Sequence, residues 1–221
     1  MGLQNYAGSM TADIYHNNRE FERLLCEYTG APYAIAVDNC CNALFLCLRW
    51  QAMMPENRPF KCAVEIPRHT YIGVPYAIKA AAFKVQVNPY SSKDGYLQGA
   101  YQLAPYPILD CALRFTSGMY EPGTFQCLSF TGPFKHLRLG KAGAILCDNA
   151  DAAAWLRRAS FSGRNYVSYH NDTFDIEEGY NMYLPHTIAA LGVQLMQGMD
   201  RNKPDLCLPY PDWSTHPAFN K

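Results

Sequence analysis

Two polar side chains stand where a buried framework could hold them for chemistry. Asp110 ends the short apolar run Ile108-Leu109, and strand ends are where α/β sheets present groups to ligands. Lys135 lies in Ser129-Phe130-Thr131-Gly132-Pro133-Phe134-Lys135-His136, between one apolar run and Gly140-Lys141-Ala142-Gly143, which opens the next. A lysine in a Gly/Pro-rich loop between two buried strands can turn inward, where its amine is a nucleophile and a proton carrier. Each residue also has a plainer reading. Asp110 on its own is a turn or helix-cap residue, and Lys135 on its own is a solvated surface lysine. His69 and His136 read as hydrogen-bonded loop residues, and Tyr71 as a core aromatic.

The elements that would position these groups alternate between short apolar strands and amphipathic helices. Phe21, Leu24, Leu25 and Tyr28 recur at helical spacing over 17–28, and Gly30 stops that helix. Strands are expected at 33–37, 62–66, 83–87, 108–110, 125–130 and 144–147. Helices are expected at 43–50, 74–82 with Pro75 in the first turn, 150–159 and 185–199. Residues 88–107, rich in Pro and Gly, read as connection with at most a short strand, and 162–178 as a polar loop. This alternation predicts an α/β fold with a mostly parallel mixed sheet covered on both faces.

Taken together, the residues resemble the fold-type I, pyridoxal-phosphate (PLP)-dependent sugar aminotransferases of the DegT/StrS group. Leu109-Asp110-Cys111-Ala112 is similar to that family's Glu-Asp-x-Ala. Ser129 to Lys135, followed by Gly140-Lys141-Ala142-Gly143-Ala144, is similar to its Ser-Phe-x-x-x-Lys-x-x-x-x-Gly-Glu-Gly-Gly-Ala, with one extra residue before the lysine. Asn39 to Leu44 stands in the place of Ser-Gly-Thr-x-Ala-Leu, and Pro67 to Tyr71 in that of Pro-x-x-Thr-aromatic. Gly179-Tyr180-Asn181 and Ala189-Ala190-Leu191-Gly192 continue the match as far as Leu195.

The resemblance implies a three-layer PLP-binding large domain over 1–201 and an irregular tail over 202–221. It implies that Lys135 holds the cofactor and that Asp110 stabilises its protonated ring nitrogen. Tyr71 would stack on the ring. Cys41 and Asn42 would offer helix N-terminal amides to the phosphate and Ser129 a hydroxyl. Asn181 would reach the phosphate of a second subunit, which makes a homodimer the expected assembly. The family's Gly-Thr at the phosphate turn is Cys40-Cys41 here, its Gln after the Asp is Leu113, and its Arg after Gly-Tyr-Asn is displaced by Tyr183. The family's middle segment and C-terminal small domain are expected to be shortened or missing.

Composition narrows the function classes. Of 221 residues, 49% are hydrophobic and 17% charged, so a packed core is expected. Lys+Arg and Asp+Glu both number 19, and the sixteen tyrosines have no basic patch beside them, so nucleic acid is not an expected partner. No run of about 18 apolar residues predicts a membrane span, and no signal peptide is evident. The nine cysteines, odd in number and without zinc spacing, predict no metal site and a reducing, cytoplasmic compartment.

The leading expectation is an aminotransferase that moves an amino group from a small donor to a keto-sugar or a related carbonyl compound. A PLP-dependent sugar dehydratase is the alternative on the same scaffold, with His136 as its candidate. The third reading is a catalytically silent relative that binds a small molecule or acts in an oligomer.

Overall fold

The computed structural model describes residues 13–54, 63–91, 95–167, 171–173 and 178–219. Its elements in chain order are α1 (His16–Thr29), β1 (Tyr33–Val37), α2 (Cys40–Met53), β2 (Val64–Pro67), α3 (Gly73–Ala80), β3 (Val85–Asn88), β4 (Tyr96–Gln98), β5 (Tyr101–Gln102), β6 (Ile108–Asp110), β7 (Phe125–Ser129), β8 (Gly143–Cys147), α4 (Ala150–Ser160), α5 (His186–Met196) and β9 (Cys207–Pro209). Every strand and helix expected from the sequence is present, with ends moved by a few residues. Cys62, expected at the start of a strand, and part of the expected loop over 162–178 lie outside the described residues.

The main sheet has the order β1-β8-β7-β6-β5. β6 and β7 are parallel, whereas β8 is antiparallel to both its neighbours and β5 antiparallel to β6. The parallel pair β2-β3 lies beyond β5, joined by an isolated antiparallel bridge between Glu65 and Ala104. β1, β2, β3, β6 and β7 therefore share one direction, and β5 and β8 oppose it. The expected α/β sheet is mostly parallel in strand direction, while its reversed members make several neighbouring pairs antiparallel.

Strand alternation builds two cores. Ile35, Val37, Phe125, Cys127, Ile145 and Cys147 pack on one face with α2, α3 and α4. Ala34, Ala36, Leu128, Ala144 and Leu146 pack on the other with Phe21 and Leu25 of α1 and Ala189 of α5. These are the three layers. Phe21 and Leu25 are fully buried, and burial of such a side chain stabilises the fold by about 1.5–3 kcal/mol.

A buried ion pair locks the second face. Glu22 on α1 accepts the Ala36 amide at 3.0 Å and Arg157 Nη2 of α4 at 2.8 Å, and Arg157 also donates to the Ala34 carbonyl at 3.1 Å. Burial raises the Glu22 carboxyl above its ordinary value, against the pull of Arg157 and the Ala36 amide.

Residues 202–219, expected as an irregular tail, hold one short strand and several long-range contacts. β9 pairs antiparallel with β4. Asp205 is held by Arg114, Asp212 by Arg68, and Trp213 Nε1 donates to the Thr70 carbonyl at 2.7 Å. None of these contacts is local in sequence, so no periodicity announces them.

Candidate active site

The site lies at the strand ends β6 and β7, against the first turn of α2. Asn39 is extended, with φ −167°, and its Oδ1 accepts the Asn42 amide at 2.9 Å. This N-cap starts α2 at Cys40, three residues before the helix read from the apolar run. It also commits one amide. The expected donation from Asn42 N–H to a phosphate is thus replaced by a cap bond, and Asn42 Nδ2 turns to Asp38 Oδ1 at 2.7 Å. Cys41 keeps its place at the helix N-terminus, where first-turn amides lack intrahelical acceptors.

Asp110, Lys135, Tyr71, Ser129 and Cys41 line one cavity of about 510 Å³, a size typical of small-molecule sites. These five are residues that the sequence singled out, and the structure places them around the same space. Asn42 is beside the cavity rather than in its lining, and Asn181 is exposed at an isolated bridge with Phe161 and does not line it. Leu208 and Tyr210 of the C-terminal segment and Lys141 also line the cavity. Nothing in the sequence marked the first two, because the contact depends on β9 pairing far along the chain. Lys141 forms an ion pair with Asp38 at 3.1 Å, in the place where the resembled family has Glu.

Asp110 is buried, with 4% of its surface exposed. Its Oδ1 accepts the Ala112 amide at 2.9 Å and faces the Cys40 thiol at 3.8 Å, and its Oδ2 accepts the Tyr101 hydroxyl at 2.8 Å. Burial raises its carboxyl above the ordinary value. The Ala112 and Tyr101 hydrogen bonds, the Lys135 charge and the Cys40 thiol oppose that rise without cancelling it. The Lys135 amine donates to the Ala112 carbonyl at 2.5 Å, and burial lowers its basicity. A lowered amine has a larger neutral, nucleophilic fraction at neutral pH. Cys41 is pushed up to about 12, mainly by burial, and stays a neutral thiol. His136 is held outward by the Pro204 carbonyl at 2.8 Å and does not line the cavity.

The donor set fits a PLP-type cofactor. A buried carboxylate surrounded by neutral donors and open to a cavity is a seat for a cation. An amine of lowered basicity stands at the same cavity, and an aromatic ring, Tyr71, forms one wall. Close packing shapes the cradle. A Cβ at Gly73 would lie 2.4 Å from Cys41 Sγ and 2.7 Å from the Tyr71 ring, and one at Gly143 would lie 2.8 Å from the Cys40 amide nitrogen. Larger residues at either position would displace the walls.

The model of the DegT/DnrJ/EryC1/StrS aminotransferase family matches residues 3–87 and 117–204, well over half of the sequence. The chain belongs to this family. The DegT/DnrJ/EryC1/StrS enzymes are PLP-dependent. Residues 88–116, which carry Asp110, fall between the matched spans. Among curated proteins, none is matched by this sequence.

Solved structures support the fold. AtS13 from Actinomadura melliaura has a TM-score of 0.67 at 18% identity, with 83% of this chain and 60% of that chain covered. The PLP form of Spr1654 from Streptococcus pneumoniae has a TM-score of 0.62 at 15% identity, with 83% and 59% covered. PseC from Helicobacter pylori, an aminotransferase in pseudoaminic acid biosynthesis, has a TM-score of 0.62 at 12% identity, with 82% and 57% covered. The chain thus spans about 60% of the length of such relatives.

Proposed function

We propose that this chain binds PLP through Lys135 and transfers an amino group from a small amino donor to a keto-sugar or a related small carbonyl compound. The observation that carries this reading is the convergence of the Lys135 amine and the buried Asp110 carboxylate on one cavity at the N-terminus of α2. When bound, PLP supplies an electron sink for a carbanion next to nitrogen.

The chain's own residues would do the rest. Lys135, kept less basic by burial, would hold the cofactor through its amine and, once released from it, would carry a proton to and from the substrate carbon. Asp110 holds the cationic ring nitrogen. Tyr71 covers one face of the ring. The Cys41 amide and Ser129 hydroxyl hold the phosphate. Asn181, exposed in one subunit, would act on the site of a second, which favours a homodimer. The protein would work in the cytoplasm. With its ring tied to Pro204, His136 gives the dehydratase alternative no support.

The test is PLP addition, desalting, borohydride reduction and peptide mapping. The expected result is a retained visible band and a pyridoxyl group fixed on Lys135, both lost in Lys135→Ala. A protein that retains no PLP overturns the reading and leaves a silent, small-molecule-binding or oligomeric role.

A further inference from the structure

Asp110 is held by a residue outside the family match. Tyr101 on β5 is the direct antiparallel partner of Asp110 on β6, so the sheet register puts the two side chains on one face. Both lie in residues 88–116, the stretch the family match leaves out. The Tyr101 ring is partly exposed, but its hydroxyl end is enclosed and bonded to Asp110 Oδ2 at 2.8 Å.

Proton counting gives that contact a direction. An ionised carboxylate only accepts, and a tyrosine hydroxyl has one proton to give. The Tyr101 proton therefore lies toward Asp110. Thr70 Oγ1 is 2.7 Å from the same hydroxyl, and with the Tyr101 proton already placed, Thr70 must be the donor. The order is Thr70 to Tyr101 to Asp110. The Thr70 backbone is pinned in turn by Trp213 Nε1 at its carbonyl.

We propose that Tyr101, backed by Thr70, is the positioning residue that keeps the Asp110 carboxylate ionised and aimed at the cation bound in this cavity. The proposal rests on the cofactor reading above for the identity of that cation.

The surroundings of Asp110 leave few other ways to hold its charge. Cys40 and Cys41 face it from α2, Cys127 from β7, Cys111 from the next position, Tyr210 from the C-terminal segment, and Lys135 from the loop after β7. Burial keeps the thiols and the Tyr210 phenol neutral, with Tyr210 pushed up to about 12. Lys135 is the one cation in this set; its amine donates to the Ala112 carbonyl, and its charge acts on Asp110 from there. The charge on Asp110 thus depends on the Ala112 amide, the Lys135 charge, the distant Cys40 thiol and the Tyr101 hydroxyl. Only the last can be deleted by removing a single oxygen with the ring left in place.

The test is a carbon-13 NMR titration of the Asp110 carboxyl in cofactor-free protein, assigned with Asp110→Asn, run on wild type, Tyr101→Phe and Thr70→Val. Loss of a donor to a carboxylate raises its midpoint. Tyr101→Phe is expected to raise the Asp110 midpoint by about one pH unit, and Thr70→Val by less in the same direction. PLP affinity, read by fluorescence against pH, should have its acidic limb moved up by the same interval in Tyr101→Phe, with affinity on that limb lower by about tenfold. A purely packing role would lower the melting temperature and leave midpoint and limb in place. That result, in Tyr101→Phe or, should that variant not fold, in Thr70→Val, overturns the proposal. A moved midpoint in a protein that takes up no PLP upholds the hold on Asp110 and fails the cofactor reading. An unmoved midpoint in a protein that binds PLP does the reverse.

Discussion

Among the described residues, Glu22 and Asp110 are buried carboxylates built for opposite ends. Glu22 and Asp110 both lie out of water, and burial raises both. Glu22 meets a guanidinium at 2.8 Å and a backbone amide at 3.0 Å, between α1, β1 and α4. Asp110 meets an amide, a hydroxyl and a thiol, all neutral, and its remaining side faces the cavity. A buried charge with its cation built in belongs to the scaffold. A buried charge without one is a binding site in waiting.

The comparison breaks most visibly at Arg157. Arg157→Ala leaves Glu22 buried without its cation, and loss of one partner of a buried pair costs about 3–5 kcal/mol. Urea unfolding should show that loss, while the folded fraction keeps its PLP affinity. A loss below about 1 kcal/mol would mean that Glu22 simply takes up a proton and the pair is not a lock.

Asp110→Asn should give the converse. The cavity loses its anion, so PLP affinity at pH 7 falls about a hundredfold, as expected when a buried charge loses its counter-charge. Stability without the cofactor should not fall, because no cation is hydrogen-bonded to Asp110. Fluorescence titration with PLP and thermal melts of the same samples check both halves. Equal damage to stability and binding would put Asp110 with Glu22, in the scaffold.

The pH dependence sharpens the contrast, and its sign follows from the raised folded value of Asp110. The folded chain keeps the Asp110 proton to higher pH than the unfolded chain, whose carboxyl titrates near about 3.9. Folded stability of the cofactor-free protein therefore falls as pH climbs from there through the raised value. Asp110→Asn removes that fall. Its melting temperature should match wild type near about pH 4 and exceed it at neutral pH. Glu22 contributes with the same sign in both proteins and cancels from the difference.

The two carboxylates also differ in how far the sequence revealed them. Asp110 was legible because it ends an apolar strand, and Lys135 because a Gly/Pro-rich loop sits between two such strands. Tyr71, Ser129 and Cys41 followed from a resemblance in which order and spacing carry the weight. The N-cap at Asn39 was readable in principle, as Asn before a helical run, and it redirects the Asn42 amide from ligand to cap. Glu22 was hidden, because its partner Arg157 is far along the chain and nothing local pairs them. Tyr101 was hidden for another reason. β5 is two residues long, too short for any alternation, and lies in a stretch whose prolines and glycines read as connection. The contribution of residues 204–213 was hidden likewise, since its contacts are all long-range.

The smallest expected effect lies in that C-terminal segment, at a contact that reaches Asp110 only through others. Trp213→Phe removes the donor to the Thr70 carbonyl and retains a ring to pack near His216 and Phe219. One neutral hydrogen bond contributes about 1 kcal/mol, so urea unfolding should record a loss of that size. Thr70 keeps its hydroxyl, so the Asp110 midpoint should scarcely move, and PLP affinity should fall by about threefold at most. A larger drop in affinity than in stability would mean that the segment places Thr70 rather than merely covering it. The chain of contacts that orients the carboxylate would then begin at Trp213, and the cofactor seat would extend from the sheet into the C-terminal segment. Glu22 has no such dependence, since its partners all belong to α1, β1 and α4. The same Trp213→Phe variant should leave the Glu22 lock intact.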